Sequence, residues 1–130
     1  MNRKEELGEK VRSLTGWMEK RGYVGGLFTT QANFSWITCG GEAHVSLAEN
    51  GAVGYVLVTA DHVFLLTNVI EERRLLDEEL QGLEMEVITW PWHETEGLRR
   101  ACSGLADPAR IVTDESGLSP FPYDPELMNL

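Results

Sequence analysis

Two apolar runs, Val53–Thr59 and Val63–Leu66, follow one another with only Ala60, Asp61 and His62 between them. Tyr55-Val56-Leu57-Val58 and Val63-Phe64-Leu65-Leu66 do not alternate with polar residues, so both faces of each strand are apolar. A strand of that kind must be covered on both sides by other layers. The Ala60-Asp61 turn makes the pair a hairpin, and hence antiparallel. The surrounding chain reads as helices and further strands. The expected architecture is therefore α/β, a mixed β-sheet flanked by helices.

The other elements follow from periodicity. Leu7, Val11, Leu14 and Met18 recur at helical spacing, which predicts an amphipathic helix over about Asn2–Gly22. Glu5, Glu6 and Glu9 sit at its start and Lys20 and Arg21 at its end, as the helix dipole favours, and Gly22 suits the residue after it. Tyr23–Thr29 and Phe34–Thr38 read as extended segments, and Cys39-Gly40-Gly41 breaks regular structure. Val45–Leu47 is a brief strand candidate, and Asn50-Gly51 is a turn signal. Val69–Gln81 reads as a second helix ended by Gly82, Glu84–Thr89 as a strand with one wet face, Thr95–Ser103 as a short helix and Arg110–Asp114 as the last strand. Pro120, Pro122 and Pro125 mark the tail as an extended linker.

With 130 residues the chain suits one domain, and 42% hydrophobic with 25% charged residues is ordinary for a globular protein. A net charge of −10 opposes binding to nucleic acid or to anionic membranes, so neither is expected as a partner. No Lys or Arg occurs between Arg21 and Arg73, which marks the middle of the chain as core and close-packed surface. Cys39 and Cys102 form no disulfide framework and no CxxC motif. The charged stretch Met1–Lys10 leaves no room for the apolar part of a signal peptide, and no apolar run reaches the length of a membrane span. A reducing cytoplasm is the expected setting.

The residues offer little chemistry. His44, His62 and His93 form none of the spacings HxH, HxxxH or HExxH, so no metal site is expected within this chain. Cys39 beside Gly40-Gly41 could serve as a thiol nucleophile with backbone N–H donors, and His44 is the nearest base; the alternative is a small buried thiol at a strand end. Glu71, Glu78 and Glu79 interleave with Arg73 and Arg74 at charge-pairing distance, which describes a solvated helix face rather than paired catalytic carboxylates. No phosphate-cradling glycine motif is present. Trp36, Trp90 and Trp92 bring large surfaces with one donor each, suited to a core, an interface or a pocket.

Taken in order, several segments resemble the N-terminal domain of the creatinase, prolidase and aminopeptidase P family of pita-bread metallopeptidases. Val24-Gly25-Gly26-Leu27-Phe28-Thr29-Thr30 is similar to that family's first strand, and Asn33-Phe34-Ser35-Trp36-Ile37-Thr38-Cys39-Gly40 to its "NixYLTG" segment. Tyr55–Thr59 and Val63–Thr67 resemble the next two strands. Asn68-Val69-Ile70-Glu71-Glu72-Arg73-Arg74-Leu75-Leu76-Asp77-Glu78-Glu79 follows the "NxIExxRlxxEE" pattern, and Glu84–Trp90 and Ile111–Asp114 resemble later strands. Cys39 interrupts the usual Thr-Gly pair, and Trp36 stands where Tyr is common.

The resemblance implies a sheet-and-helix domain with a ribonuclease H-like motif over residues 1–118, with 119–130 beginning a linker to a C-terminal catalytic domain absent from this chain. It implies that the catalytic residues, and two divalent metal ions (Mn, Co or Zn) held by two Asp, one His and two Glu, belong to that other domain. This chain alone would then be no enzyme and hold no cofactor, while its parent would be a metal-dependent exopeptidase acting on Xaa-Pro peptides. The N-terminal domain would contribute to a homodimer and to substrate access, with Trp36 and His44 at the entrance for a peptide. A protein-interaction domain of a non-peptidase relative, creatinase-like or catalytically dead, is the alternative. A standalone domain using Cys39 is a third.

Overall fold

The computed structural model describes residues 3–38, 51–60, 62–68, 75, 85–91, 96–115 and 120–129. Helix α1 spans Arg3–Arg21, strand β1 Gly25–Thr30, helix α2 Gln31–Ile37 and strand β2 Gly51–Thr59. Strands β3 (Val63–Asn68) and β4 (Glu86–Trp90), helix α3 (Gly97–Ser103) and strand β5 (Ile111–Thr113) complete the regular elements, with short 3₁₀ turns at Pro108–Arg110 and Pro125–Asn129.

The five strands lie in the order β4-β3-β2-β1-β5. β2 runs antiparallel to both neighbours, with Gly26 opposite Val58 and Val56 opposite Leu65. β5 is parallel to β1 and β4 is parallel to β3. Four strands thus point one way and β2 the other, the mixed sheet that the hairpin predicted.

Consecutive residues of the central strands go to opposite sides, and both sides are apolar. Phe28, Val56, Val58, Leu65 and Val112 meet Leu7, Leu14 and Met18 of α1 and Phe34 and Ile37 of α2. Leu27, Leu57, Phe64, Leu66 and Ile111 form a second core with Cys102 of α3 and with Phe121. Double-sided burial explains why these strands carry no polar alternation.

α1 ends where the sequence predicts. Gly22 takes φ = +80°, a left-handed conformation that a side chain resists, and the Tyr23 N–H donates to Met18 O across the turn. A second glycine leaves room for a neighbour. A Cβ on Gly54 would lie 2.6 Å from Leu75 Cδ1, so a side chain there would force the Leu75 methyl to shift.

Two expectations fail. Phe34–Thr38, read as extended from its aromatic and β-branched composition, belongs instead to α2 and its C-cap. Thr30 caps that helix by accepting the Asn33 N–H at 3.3 Å, and Phe34 and Ile37 share a buried face one turn apart. Capping and burial outweigh weak strand propensity here. At the far end Arg3 donates to Thr38 O at 2.7 Å, and Lys10 donates to Trp36 O, so two cations of α1 satisfy carbonyls of the last turn. Thr30→Ala should lose about 1 kcal/mol of stability in urea unfolding, and Thr30→Ser should restore most of it.

The tail is not extended either. The Thr113 N–H donates to Pro122 O at 2.8 Å, and Tyr123 forms a parallel bridge with Thr113. Phe121 and Leu127 are buried in the two different cores, so the segment straddles the β5 margin. Arg21 pairs with Asp124 and Glu126, and the Tyr23 hydroxyl donates to Asp124 at 3.2 Å. Prolines made this stretch look like a spacer, but its apolar residues carry it onto the domain. The strand predicted at Val45–Leu47 lies outside the described residues. So does the helix predicted over Val69–Gln81, except for Leu75, which is fully buried.

Candidate functional site

In open α/β sheets, ligands gather at the carboxyl ends of the parallel strands. Here that end is formed by the last residues of β1, β3, β4 and β5, and it holds the densest polar network described. Its centre is Asp114, immediately after β5 and 4% exposed. Its carboxylate accepts from the Thr29 N–H at 3.0 Å, the Thr29 hydroxyl at 2.7 Å and Asn33 Nδ2 at 2.9 Å, with the Thr30 N–H at 3.3 Å. A negative charge is thereby set against the first turn of α2, where the orphan N–H groups and the helix dipole favour it.

The Thr29 hydroxyl is also 2.9 Å from Glu115 Oε2. It has one proton, so it donates to one carboxylate at a time, and the shorter contact is to Asp114. Tyr55, on β2, has its phenol pushed up from the ordinary value by burial, and further by the charge of Glu115. Its ring stacks on Trp90 at 6.4 Å between centroids and 17° between planes. The network is satisfied from within. It fixes the junction of β1, α2 and β5, and its chemistry is positional.

Trp36 lies on α2, half-buried, with its ring centroid 6.0 Å from that of Phe28 and the Lys10 ammonium 4.8 Å above it. Part of the indole is committed to packing and to a cation–π contact. His44 and Cys39 lie outside the described residues, as do His93, Trp92 and the acidic stretch around Glu71, Glu78 and Glu79. His62 sits on the β2–β3 turn, exposed, with Nδ1 2.9 Å from Glu86 Oε1. Among the described residues no three His, Cys, Asp or Glu side chains gather as a metal site, and no helix is long and apolar enough to cross a membrane. Asp114 and its donors escaped the sequence reading, although Thr30-x-x-Asn33 carried the cap signal that locates half of them.

Cys102 is fully buried on α3, and burial pushes its thiol from 9.0 up to about 12. An inert thiol follows, since only the thiolate attacks. Iodoacetamide at neutral pH should leave native Cys102 unlabelled and label it on unfolding. The sign of the pH effect also follows. Between 9.0 and about 12 the unfolded chain has lost the proton that the folded chain keeps, so the contribution is complete below 9.0 and declines as pH rises through that window. Cys102→Ala should flatten that decline in alkaline unfolding curves.

No protein-family model matches the sequence, and no curated protein matches it. Solved structures do match. The creatinase/prolidase N-terminal domain of an X-Pro dipeptidase from Streptococcus pyogenes superimposes with a TM-score of 0.63 at 13% identity, over 94% of this chain and 98% of that one. The prolidase from Pyrococcus horikoshii gives 0.63 at 19% identity, over 92% of this chain and 33% of that one. The Xaa-Pro dipeptidase from Bacillus anthracis gives 0.66 at 13% identity, over 94% and 34%. The mixed five-stranded sheet with flanking helices is therefore the fold of creatinase/prolidase N-terminal domains. The chain spans about a third of the length of the Pyrococcus and Bacillus enzymes.

Proposed function

We propose that this chain acts as the non-catalytic N-terminal domain of a metal-dependent exopeptidase acting on Xaa-Pro substrates, contributing to dimerisation and to substrate access. The observation that carries the reading is the superposition on the N-terminal domain of an X-Pro dipeptidase across almost the whole of both chains. The ordered series from Val24–Thr30 through Asn68–Glu79 to Ile111–Asp114 supports it independently. In this reading the bond-breaking metals, two of Mn, Co or Zn, are held by a C-terminal domain, and the protein works in the cytoplasm. The satisfied Asp114 network suits a part that supplies shape.

Trp36 and His44 would line the approach to the active site, an aromatic face and an imidazole offering an apolar slot for a proline ring. In the full-length enzyme Trp36→Ala should raise KM about three- to tenfold with kcat held, the signature of lost uniform binding. Trp36→Phe, which keeps an aromatic ring against Phe28, should give an intermediate value.

The coding sequence beyond Leu130 provides the direct test. Two Asp, one His and two Glu in ligand order, and metal-dependent cleavage of Xaa-Pro dipeptides by the longer protein, are the expected results. A continuation lacking those ligands would point to the interaction domain of a non-peptidase relative. Metal-dependent hydrolysis by the 130-residue chain alone would overturn the division of labour.

A further inference from the structure

The opposite end of the sheet holds a different feature. At the amino ends of β1 and β5 lies a hollow of about 320 Å³, lined by Thr15, Met18 and Glu19 of α1, by Tyr23, by Ala60 after β2 and by Arg110 before β5. That volume is at the small end of the range for ligand pockets. Its floor is apolar, with Met18 only 2% exposed.

Its rim carries two opposite charges that form no ion pair among the described residues. Arg110 is held in place by its backbone, whose carbonyl accepts the Val24 N–H at 2.8 Å, and by its side chain, whose Nε donates to Gly22 O at 2.9 Å. Its terminal guanidinium nitrogens have no partner among the described residues, and neither has the Glu19 carboxylate. The two do not pair with each other. The hydroxyl of Thr15, another lining residue, is shut away from water with no hydrogen-bond partner. A buried polar group left in that state is unfavourable, and an entering ligand can relieve it when the side chain turns to another rotamer.

We propose that this hollow binds a small zwitterion, a free amino acid or a dipeptide, with its carboxylate on the Arg110 guanidinium, its ammonium on Glu19 and its side chain over Met18. The guanidinium presents paired donors that match a carboxylate. A net charge of −10 opposes an anionic ligand, whereas a zwitterion brings no net charge, and a plain cation would leave Arg110 unmatched. The assignment does not rest on the peptidase reading, because every group belongs to this chain and the test uses no hydrolysis.

The test is a ¹⁵N-resolved NMR titration of the 130-residue chain with L-leucine and with glycyl-L-leucine. N-acetyl-L-leucine, which lacks the ammonium, and L-leucinamide, which lacks the carboxylate, are the controls. Saturable shifts at the amides of Gly22, Tyr23 and Val24 are expected with at least one zwitterion, each control binding about tenfold or more weakly. The stronger of the two separates amino acid from dipeptide. Glu19→Gln, on an exposed position, should lose the response while keeping the parent's melting temperature, and Arg110→Gln should lose it as well. Silence from both zwitterions up to about 10 mM, equal binding of N-acetyl-L-leucine, or unchanged binding by Glu19→Gln would overturn the proposal.

Discussion

Replacing Asp114 by Ala should cost about 2–5 kcal/mol of folding stability, since each buried donor left without an acceptor costs roughly 1–3 kcal/mol. Three strong donors, the Thr29 N–H, the Thr29 hydroxyl and Asn33 Nδ2, converge on this nearly inaccessible carboxylate, and only the hydroxyl has a described alternative acceptor, Glu115 Oε2. Truncation therefore leaves donors orphaned in a dry place, which is more damaging than losing the bonds themselves. Asp114→Asn keeps the shape but turns an NH₂ toward groups that also donate, and should fall between parent and Ala. Urea unfolding with an unchanged slope checks both, and a loss below about 1 kcal/mol for Asp114→Ala would show that the network does not hold the junction. A double-mutant cycle with Asn33→Ala should show coupling, since the two side chains share one bond at 2.9 Å.

Phe34→Ala should be of similar size, about 3–5 kcal/mol, for a different reason. Phe34 is fully buried, and its Cε2 reaches to 3.5 Å from the place a Gly54 Cβ would occupy. With Ile37 it is a fully buried apolar anchor by which the seven-residue helix α2 grips the sheet. An isolated helix of that length has almost no stability of its own. Removing the ring leaves a cavity and loosens the helix together. Phe34→Leu should recover most of the loss, and thermal unfolding of both variants checks it. A Phe34→Ala cost below about 1.5 kcal/mol would mean that the site refills. Either Ala substitution consumes a large share of the roughly 5–15 kcal/mol that holds a domain of this kind.

What could be read from the sequence was what local pattern encodes. The β2–β3 hairpin was legible because four consecutive apolar residues on each side of a turn admit few arrangements. α1 was legible because Leu7, Leu14 and Met18 repeat with helical period and Gly22 stops them. The α2 error shows the limit of composition, since Phe34-Ser35-Trp36-Ile37 suits a strand until Thr30 is recognised as a cap. The tail error has the same origin, with prolines masking Phe121 and Leu127. Asp114 was out of reach for a stronger reason. Its meaning comes from Thr29, Thr30 and Asn33, and nothing near it in the chain announces them. Of the two proposed entrance residues, Trp36 proved partly committed to Phe28 and Lys10, which is a matter of packing and not of pattern.

The bond between Thr29 and Asp114 joins residues 85 positions apart, and β5 is the last of the described strands to emerge during translation. At a synthesis rate of about 5–20 residues per second, β1 waits roughly 4 to 17 seconds for its parallel neighbour and for the acceptor that closes over its end. β2 and β3 can zip together as soon as they leave the ribosome, but one margin of β1 stays bare until then. The nascent domain is thus most vulnerable to misassociation before β5 emerges, and chaperone dependence in the cell would be concentrated in that interval.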